Sequence, residues 1–385
     1  MITLTEARLS PHVTHGPSRR WLTGPGLPGA SGLLTCAPLE RDGLVTVADA
    51  MGDPDGRLPA ELRDHLVTGE LLGHDGTAAD WILLDGVPGD VPATYSLHDR
   101  PDLRDRDPLA PSLRALVGFA TAVDELAGLR GRFASCADRC GPQAVAEASR
   151  RLLAVFEEGA AGGEPAPLWR MAALIRPLAL VAGPGKRSGL ALDLPPRLLD
   201  DAFGAGGIVR FEEVDFPAAL THGPTRRFLR EVGLPEDGLW FSLDTDVPLP
   251  TLEEFWADDP RAGPLPAGAD RLIRLGYLLE DTSLVVDGAT GAVLCRSEAE
   301  AVLRPLNADL STLAFTLWLI HREKSLDAEH DLSRAYEQLA DTMARTLDAV
   351  DPVACDRSAR TSPTDDGRRY RPEAFEDRAG GGLYA

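Results

Sequence analysis

The sequence predicts an α+β protein made of two related domains, each a small, mostly antiparallel sheet packed by helices. Three observations carry that prediction. The first is an internal repeat: Thr14-His15-Gly16-Pro17-Ser18-Arg19-Arg20-Trp21-Leu22 recurs as Thr221-His222-Gly223-Pro224-Thr225-Arg226-Arg227-Phe228-Leu229, 207 residues later. Both copies run on to Gly-Leu-Pro, at Gly26-Leu27-Pro28 and Gly233-Leu234-Pro235, and ten of the fifteen positions are identical. A solenoid would repeat every 20–50 residues or so, so this period reads as the duplication of a whole domain. The second is an Asp-Gly turn signal between apolar segments in each half, the mark of a β-hairpin. The third is a pair of amphipathic helices closing each half.

Each copy opens with a helix. Gly-Pro ahead of a short apolar run starts it, because proline fixes φ in the first turn. Ser18 or Thr225 is expected to satisfy free backbone N–H groups there. Trp21/Phe228 and Leu22/Leu229 supply a buried face, and Gly26 or Gly233 stops the helix with proline two residues on. The hairpin follows, as Trp81 to Leu84 with Asp85-Gly86 and as Leu284 to Val286 with Asp287-Gly288. The helical segments are Ser112 to Ala127 and Pro142 to Glu158 in the first copy, and Asp309 to Arg322 and Leu332 to Val350 in the second. Asp309 and Ser311 are reasonable N-caps. Domain limits of 1–158 and 191–350 follow. Residues 159–190 read as a linker with a bridging apolar helix over Leu168 to Ala182, and Leu194 to Gly204 as a helix that opens the second domain. Residues 351–385, polar and rich in Arg, Asp, Gly and Pro, are expected to be disordered.

The chain has 385 residues and a net charge of −21. Residues 1–160 hold 15 basic and 23 acidic side chains, and residues 161–350 hold 18 and 30, so the acidity is not an appended tail. Nucleic-acid binding is disfavoured, because phosphate contacts need a basic patch. An acidic surface favours capture of a basic protein. No apolar run is long enough to span a membrane, and the first residues lack a basic-then-apolar secretory signal, which points to the cytoplasm. The five cysteines, at 36, 136, 140, 295 and 355, contain no CxxC pair and read as reduced thiols, with no metal site or cofactor.

Several segments invite a chemical reading. Gly24-Pro25-Gly26-Leu27-Pro28-Gly29 matches GxGxxG, but a helix precedes it and two prolines sit inside it. Gly183-Pro184-Gly185-Lys186-Arg187-Ser188 lacks the spacing of a phosphate loop and reads as a solvated turn. Asp244 and Asp246 lie two apart, too few for a calcium loop. Glu253, Glu254, Asp258 and Asp259 flank Phe255 and Trp256. An aromatic inside an acidic rim is the pattern of a hot spot for a basic partner. Asp244, Asp246, Glu253, Glu254, Trp256, Asp258 and Asp259 are therefore the candidate partner-binding residues, and no catalytic set is assigned.

On Pro217, Thr225-Arg226-Arg227-Phe228-Leu229, Gly233-Leu234-Pro235, Leu275-Gly276, Leu284 to Asp287 with Gly291-Ala292-Val293, and Asn307-Ala308-Asp309-Leu310, the sequence resembles the SUKH superfamily, and within it the fourth subfamily. The likeness covers roughly residues 190–350, with residues 1–158 as a diverged SUKH-like copy that has Ala110-Pro111-Ser112-Leu113 in place of Asn-Ala-Asp-Leu. It implies a non-catalytic fold and an immunity protein that binds and neutralises a cognate bacterial toxin, a nuclease or a deaminase in many cases. Two other readings compete. One is a regulatory scaffold that binds a non-toxic host protein. The other is a small-molecule-binding protein or enzyme that uses His15, His222 or the Asp244/Asp246 pair.

Overall fold

The computed structural model describes residues 1–52, 56–95, 105–160, 163–238, 241–257, 264–278, 282–297 and 302–355. The chain divides into two compact units, Met1–Asp138 with Ala146–Pro177, and Arg139–Val145 with the described residues from Leu178 on. The fold is α+β.

In the first unit, α1 (Gly16–Thr23) leads through β1 (Leu34–Thr35), α2 (Ala37–Asp42), β2 (Val45–Thr46) and α3 (Val47–Met51) to the strands β3 (Leu66–Leu72), β4 (Ala78–Leu84), β5 (Val91–Tyr95) and β6 (Asp107–Ala110). The sheet is antiparallel in the order β1-β3-β4-β5-β6, with β2 also on β3. Then come α4 (Leu113–Ala127), α5 (Pro142–Gly159) and α6 (Pro167–Ile175). Ser112 caps α4 by accepting from the Ala115 N–H. Part of the stretch read as a linker is thus a packed helix. The reason is apolar: Trp169 of α6 is fully buried, its ring 5.3 Å from Phe119 and 5.6 Å from Phe156, and its Nε1 donates to the Leu109 carbonyl at 2.7 Å.

The second unit opens with a small hairpin, β7 (Gly183–Pro184) and β8 (Leu192–Asp193), then α7 (Leu198–Phe203). After β9 (Ile208–Val209) and α8 (Gly223–Glu231), β10 (Leu234–Pro235) pairs with β9. The main sheet runs β11 (Asp237–Gly238), β12 (Phe241–Leu243), β13 (Leu272–Leu278), β14 (Thr282–Asp287), β15 (Val293–Ser297), β16 (Arg304–Asn307), all antiparallel neighbours in chain order. The helix α9 (Leu252–Trp256) lies between β12 and β13 in sequence. It carries a capping box, Thr251 bonding the Glu254 N–H and Glu254 bonding the Thr251 N–H. The helices α10 (Leu310–His330) and α11 (Tyr336–Asp348) close the unit. Every residue of α10 from Leu310 to Ile320 is buried, so this helix is the centre of the core and not an amphipathic surface helix. Asp309 caps it as expected, while Ser311 acts as the partner of that cap, its Oγ 2.6 Å from Asp309 Oδ1.

Disorder does not begin at Asp351. A short helix, α12 (Pro352–Cys355), follows it, and the Asp351 carboxylate is 1% exposed. It accepts from Asn307 Nδ2 at 2.6 Å and from the Ala308 N–H at 3.2 Å, which ties this segment to the end of β16. Residues 356–385 of the expected tail lie outside the described residues.

Candidate functional site

The duplicated motif makes the same local structure in both units. The N–H groups of Thr14 and His15 both donate to the Gly86 carbonyl at 2.8 Å, and those of Thr221 and His222 donate to Gly288 at 2.8 Å. His15 Nδ1 lies 2.9 Å from Ser18 Oγ and His222 Nδ1 lies 2.8 Å from Thr225 Oγ1. The Ser and Thr hydroxyls therefore fix the imidazoles, and not the free amides of the first helical turn. Each ring covers a hairpin glycine with positive φ, Gly89 at +87° and Gly291 at +80°. A Cβ at these glycines would fall 1.9 Å from His15 Nδ1 and 2.3 Å from His222 Nδ1. Arg19 donates to the Val13 carbonyl at 3.1 Å and Arg226 to the Leu220 carbonyl at 2.9 Å, and each pairs with an acid, Glu6 or Glu213. Gly26 and Gly233 return their N–H groups to Trp21 and Phe228 as helix stops. Histidine and the first arginine thus clasp the helix entry onto the Asp-Gly hairpin. No catalytic partner meets either histidine among the described residues.

The Lys186 turn has a similar internal explanation. Its amides at Arg187 and Ser188 donate to Asp193, at 3.1 and 2.8 Å, so a carboxylate of the chain already fills the anion-binding geometry. Burial would raise that carboxyl, but the Ser188 and Arg187 hydrogen bonds outweigh it and hold it below its ordinary range. Among the described residues no group of three or more His, Cys, Asp or Glu is placed to hold a metal ion, and no helix is long and apolar enough to cross a membrane. Cys36, Cys136 and Cys295 are buried and in no disulfide, and burial pushes the Cys36 thiol up to about 12, away from thiolate chemistry.

The acidic-aromatic segment occupies one face of the second sheet. Cross-strand partners project to the same side, and the registers place Asp237, Ser242, Tyr277, Ser283 and Arg296 in one row across β11 to β15. Arg274, Val285 and Leu294 form the next row on that face, because Ser283 and Val285 are two apart on β14. A bulge between Arg274 and Gly276 lets Arg274 and Tyr277 share the face although they are three positions apart. The helix α9 covers part of this face: Leu252, Ala269, Leu272 and Val285 form an apolar cluster, and Trp256, Leu265 and Leu294 pack on it. Arg274 is 4% exposed, ion-pairs with Asp244, and lays its guanidinium 3.8 Å from the centroid of Phe255. Arg296 is equally buried, 5.8 Å from the Trp256 centroid, and donates to the Pro264 carbonyl at 3.2 Å.

The candidate residues separate on this geometry. Trp256 is only partly exposed and packs on the cluster under α9. Glu254 is committed to its capping box, and Asp244 to Arg274. Asp246 and Glu253 are exposed. Asp258 and Asp259 lie outside the described residues. On this face the exposed aromatics are Phe255, at 40%, which the acidic-aromatic pattern includes without making it a candidate, and Tyr277, at 50%, which it does not mention. Tyr277 has a sequence signal in retrospect: it follows Leu275-Gly276 at a strand bulge, which turns its side chain to the face of Arg274.

The second unit is thus an α+β fold with a partly exposed, acid-edged patch on one sheet face. A protein-family model, SUKH-4 immunity protein, matches residues 194–376; the described residues of that match belong to the second unit. No curated protein and no solved structure matches the chain.

Proposed function

We propose that this chain is an immunity protein that binds and neutralises a cognate bacterial toxin through protein–protein contact, without catalysis of its own. The observation that carries the reading is the match of residues 194–376 to the SUKH-4 immunity family. The net charge of −21 suits a basic partner such as a nuclease or deaminase and disfavours direct nucleic-acid binding. We also read the first unit as a diverged SUKH-like copy, so that the chain is a tandem pair acting in the cytoplasm. Its support is the equality of contacts at Gly86 and Gly288, His15 and His222, and Arg19 and Arg226. The partner-binding residues fall on the second unit, around Asp244, Asp246, Glu253 and Trp256. The test is co-expression with the toxin domain encoded beside this chain's gene. Restored growth and a complex on size exclusion are expected; toxicity unrelieved with no complex at micromolar concentration sinks the reading.

A further inference from the structure

We infer that the open part of the second sheet's outer face receives an arginine- or lysine-presenting segment of a basic protein, with Tyr277 and Phe255 as its anchors and Arg274 as the positioning residue beneath them. The natural partner's identity rests on the toxin-binding reading; the chemistry of the face does not. Two large aromatic side chains stand out here, Tyr277 at 50% and Phe255 at 40% exposure. Acids edge them: Asp237 shares Tyr277's cross-strand row through Ser242, while Asp246 and Glu253 are exposed and make no ion pair among the described residues.

That mixture selects the occupant. An apolar partner would strip water from Asp246 and Glu253 with nothing to replace it. A nucleic acid would meet carboxylates with its phosphates. A guanidinium is flat and weakly hydrated, stacks on aromatic planes, and offers forked donors to carboxylates; an ammonium offers the charge and part of the stacking. Arg274 fixes the platform from below: paired with Asp244 and 3.8 Å from the Phe255 ring, it occupies one face of that ring and leaves the exposed side for contact. The first unit lacks the platform. Its matching row is Thr35, Glu70, Trp81 and Thr94, with Glu70 in the place of Tyr277. Four residues after the capping threonine it has Ala50, where the second unit has Phe255.

The probe is the peptide acetyl-Gly-Arg-Gly-Arg-Gly-amide, titrated into the full chain carrying ring-labelled tyrosine, with the glutamine analogue as control. The Tyr277 resonance, assigned through Tyr277→Phe, is expected to shift with the arginine peptide only, and less at high salt. An unmoved Tyr277, or an equal shift with the glutamine peptide, overturns the inference. A second arm uses an inactivated form of the toxin domain encoded next to this gene. Tyr277→Ala combined with Phe255→Ala should weaken that complex by about tenfold or more; Glu253→Lys, on an exposed site, should weaken it without touching the sheet, and Glu70→Ala should leave it unchanged. If wild-type protein binds the domain and the face variants bind equally well, the face is wrong and the immunity reading stands. If the peptide shifts Tyr277 while wild-type protein neither binds the domain nor rescues growth, the immunity reading fails and the face stands.

Discussion

The two units agree where backbone must meet backbone and differ in the side chains of the outer sheet face. At the helix entry, the bonds to Gly86 and Gly288 have equal lengths, and the imidazoles cover equivalent glycines. On the outer sheet face the register is also shared, but the chemistry is not. Where the first unit places Val67 opposite Leu83, the second places Arg274 opposite Val285. The first unit's cluster, Val47, Leu58, Leu62, Val67 and Leu83, is apolar throughout, with Met51 and Trp81 packed on it. The second unit's cluster has two buried arginines beside it, one of them holding an exposed aromatic. A face that keeps buried cations under exposed rings carries a desolvation cost that folding does not require.

Exchanging the residues at this position is the sharpest way to break that comparison. Val67→Arg introduces a charge into a site with 5% exposure, packed with Val47, Leu58, Leu62 and Leu83. It should cost on the order of 4–5 kcal/mol, the upper range of single substitutions. Hydrogen exchange read separately on peptides of each unit should show the loss in the first unit. Retention of wild-type protection there would mean that the first unit's face is as tolerant of charge as the second's.

The clasp should respond equally in both units, with the next largest effect. Gly89→Val and Gly291→Val each force a β-branched residue into positive φ and onto an imidazole. Each should destabilise its own unit by about 3 kcal/mol, as strain and overpacking combine. Urea unfolding followed by unit-specific exchange is the measurement. A large effect at one glycine with none at the other would show that the repeated motif has separated in role. Arg274→Val, the reverse exchange, should cost only about 1–2 kcal/mol, because Asp244, with 24% of its side chain exposed, can rehydrate. The same variant should free Phe255, visible as faster ring averaging in NMR spectra.

Much of the first pattern was legible in the sequence, because it is local. Gly-Pro, the Asp-Gly turns, Ser112 and Asp309 each have a short-range reason, and the structure has a helix or hairpin at each. The role of Ser18 and Thr225 was misread, since their histidine partner competes with the free amides. The site was less legible. Arg274 sits in Leu-Ile-Arg-Leu-Gly-Tyr-Leu, and nothing local says whether its face is covered. That depends on Asp244 and Phe255, which approach through the β12–β13 connection. Trp256 and Phe255 are adjacent, and only the angle at which α9 docks decides which is packed and which is exposed. The helix over residues 167–175 was visible as apolar but not as part of the first unit, because its partners Phe119 and Phe156 come from other helices.

The smallest effect distinguishes the units by pH. His65, 5% exposed, stands immediately before β3, where the second unit has Leu272 in the same register. Its Nε2 is 3.5 Å from Asp85, which also lies 3.8 Å from Arg106, and Arg106 pairs with Asp90. Burial lowers the pKa of His65, Asp85 and Asp90 oppose that, and Arg106 adds to it; the net shift is downward from 6.5. A lowered pKa in the folded state means that the unfolded chain binds the proton more readily. The stability from neutral His65 is therefore complete above about pH 6.5 and is lost as pH falls from there toward the lower folded value. The second unit has its own source of the same sign at His321, lowered first by burial and then by Lys324 and Arg322. Each can be silenced alone. His65→Gln should flatten the acid side of the first unit's exchange profile and leave the second unchanged, and His321→Gln should do the reverse. If His65→Gln leaves the first unit's profile as steep as before, the attraction of Asp85 and Asp90 cancels the effect of burial; a steeper profile would mean that they stabilise the imidazolium more than burial opposes it.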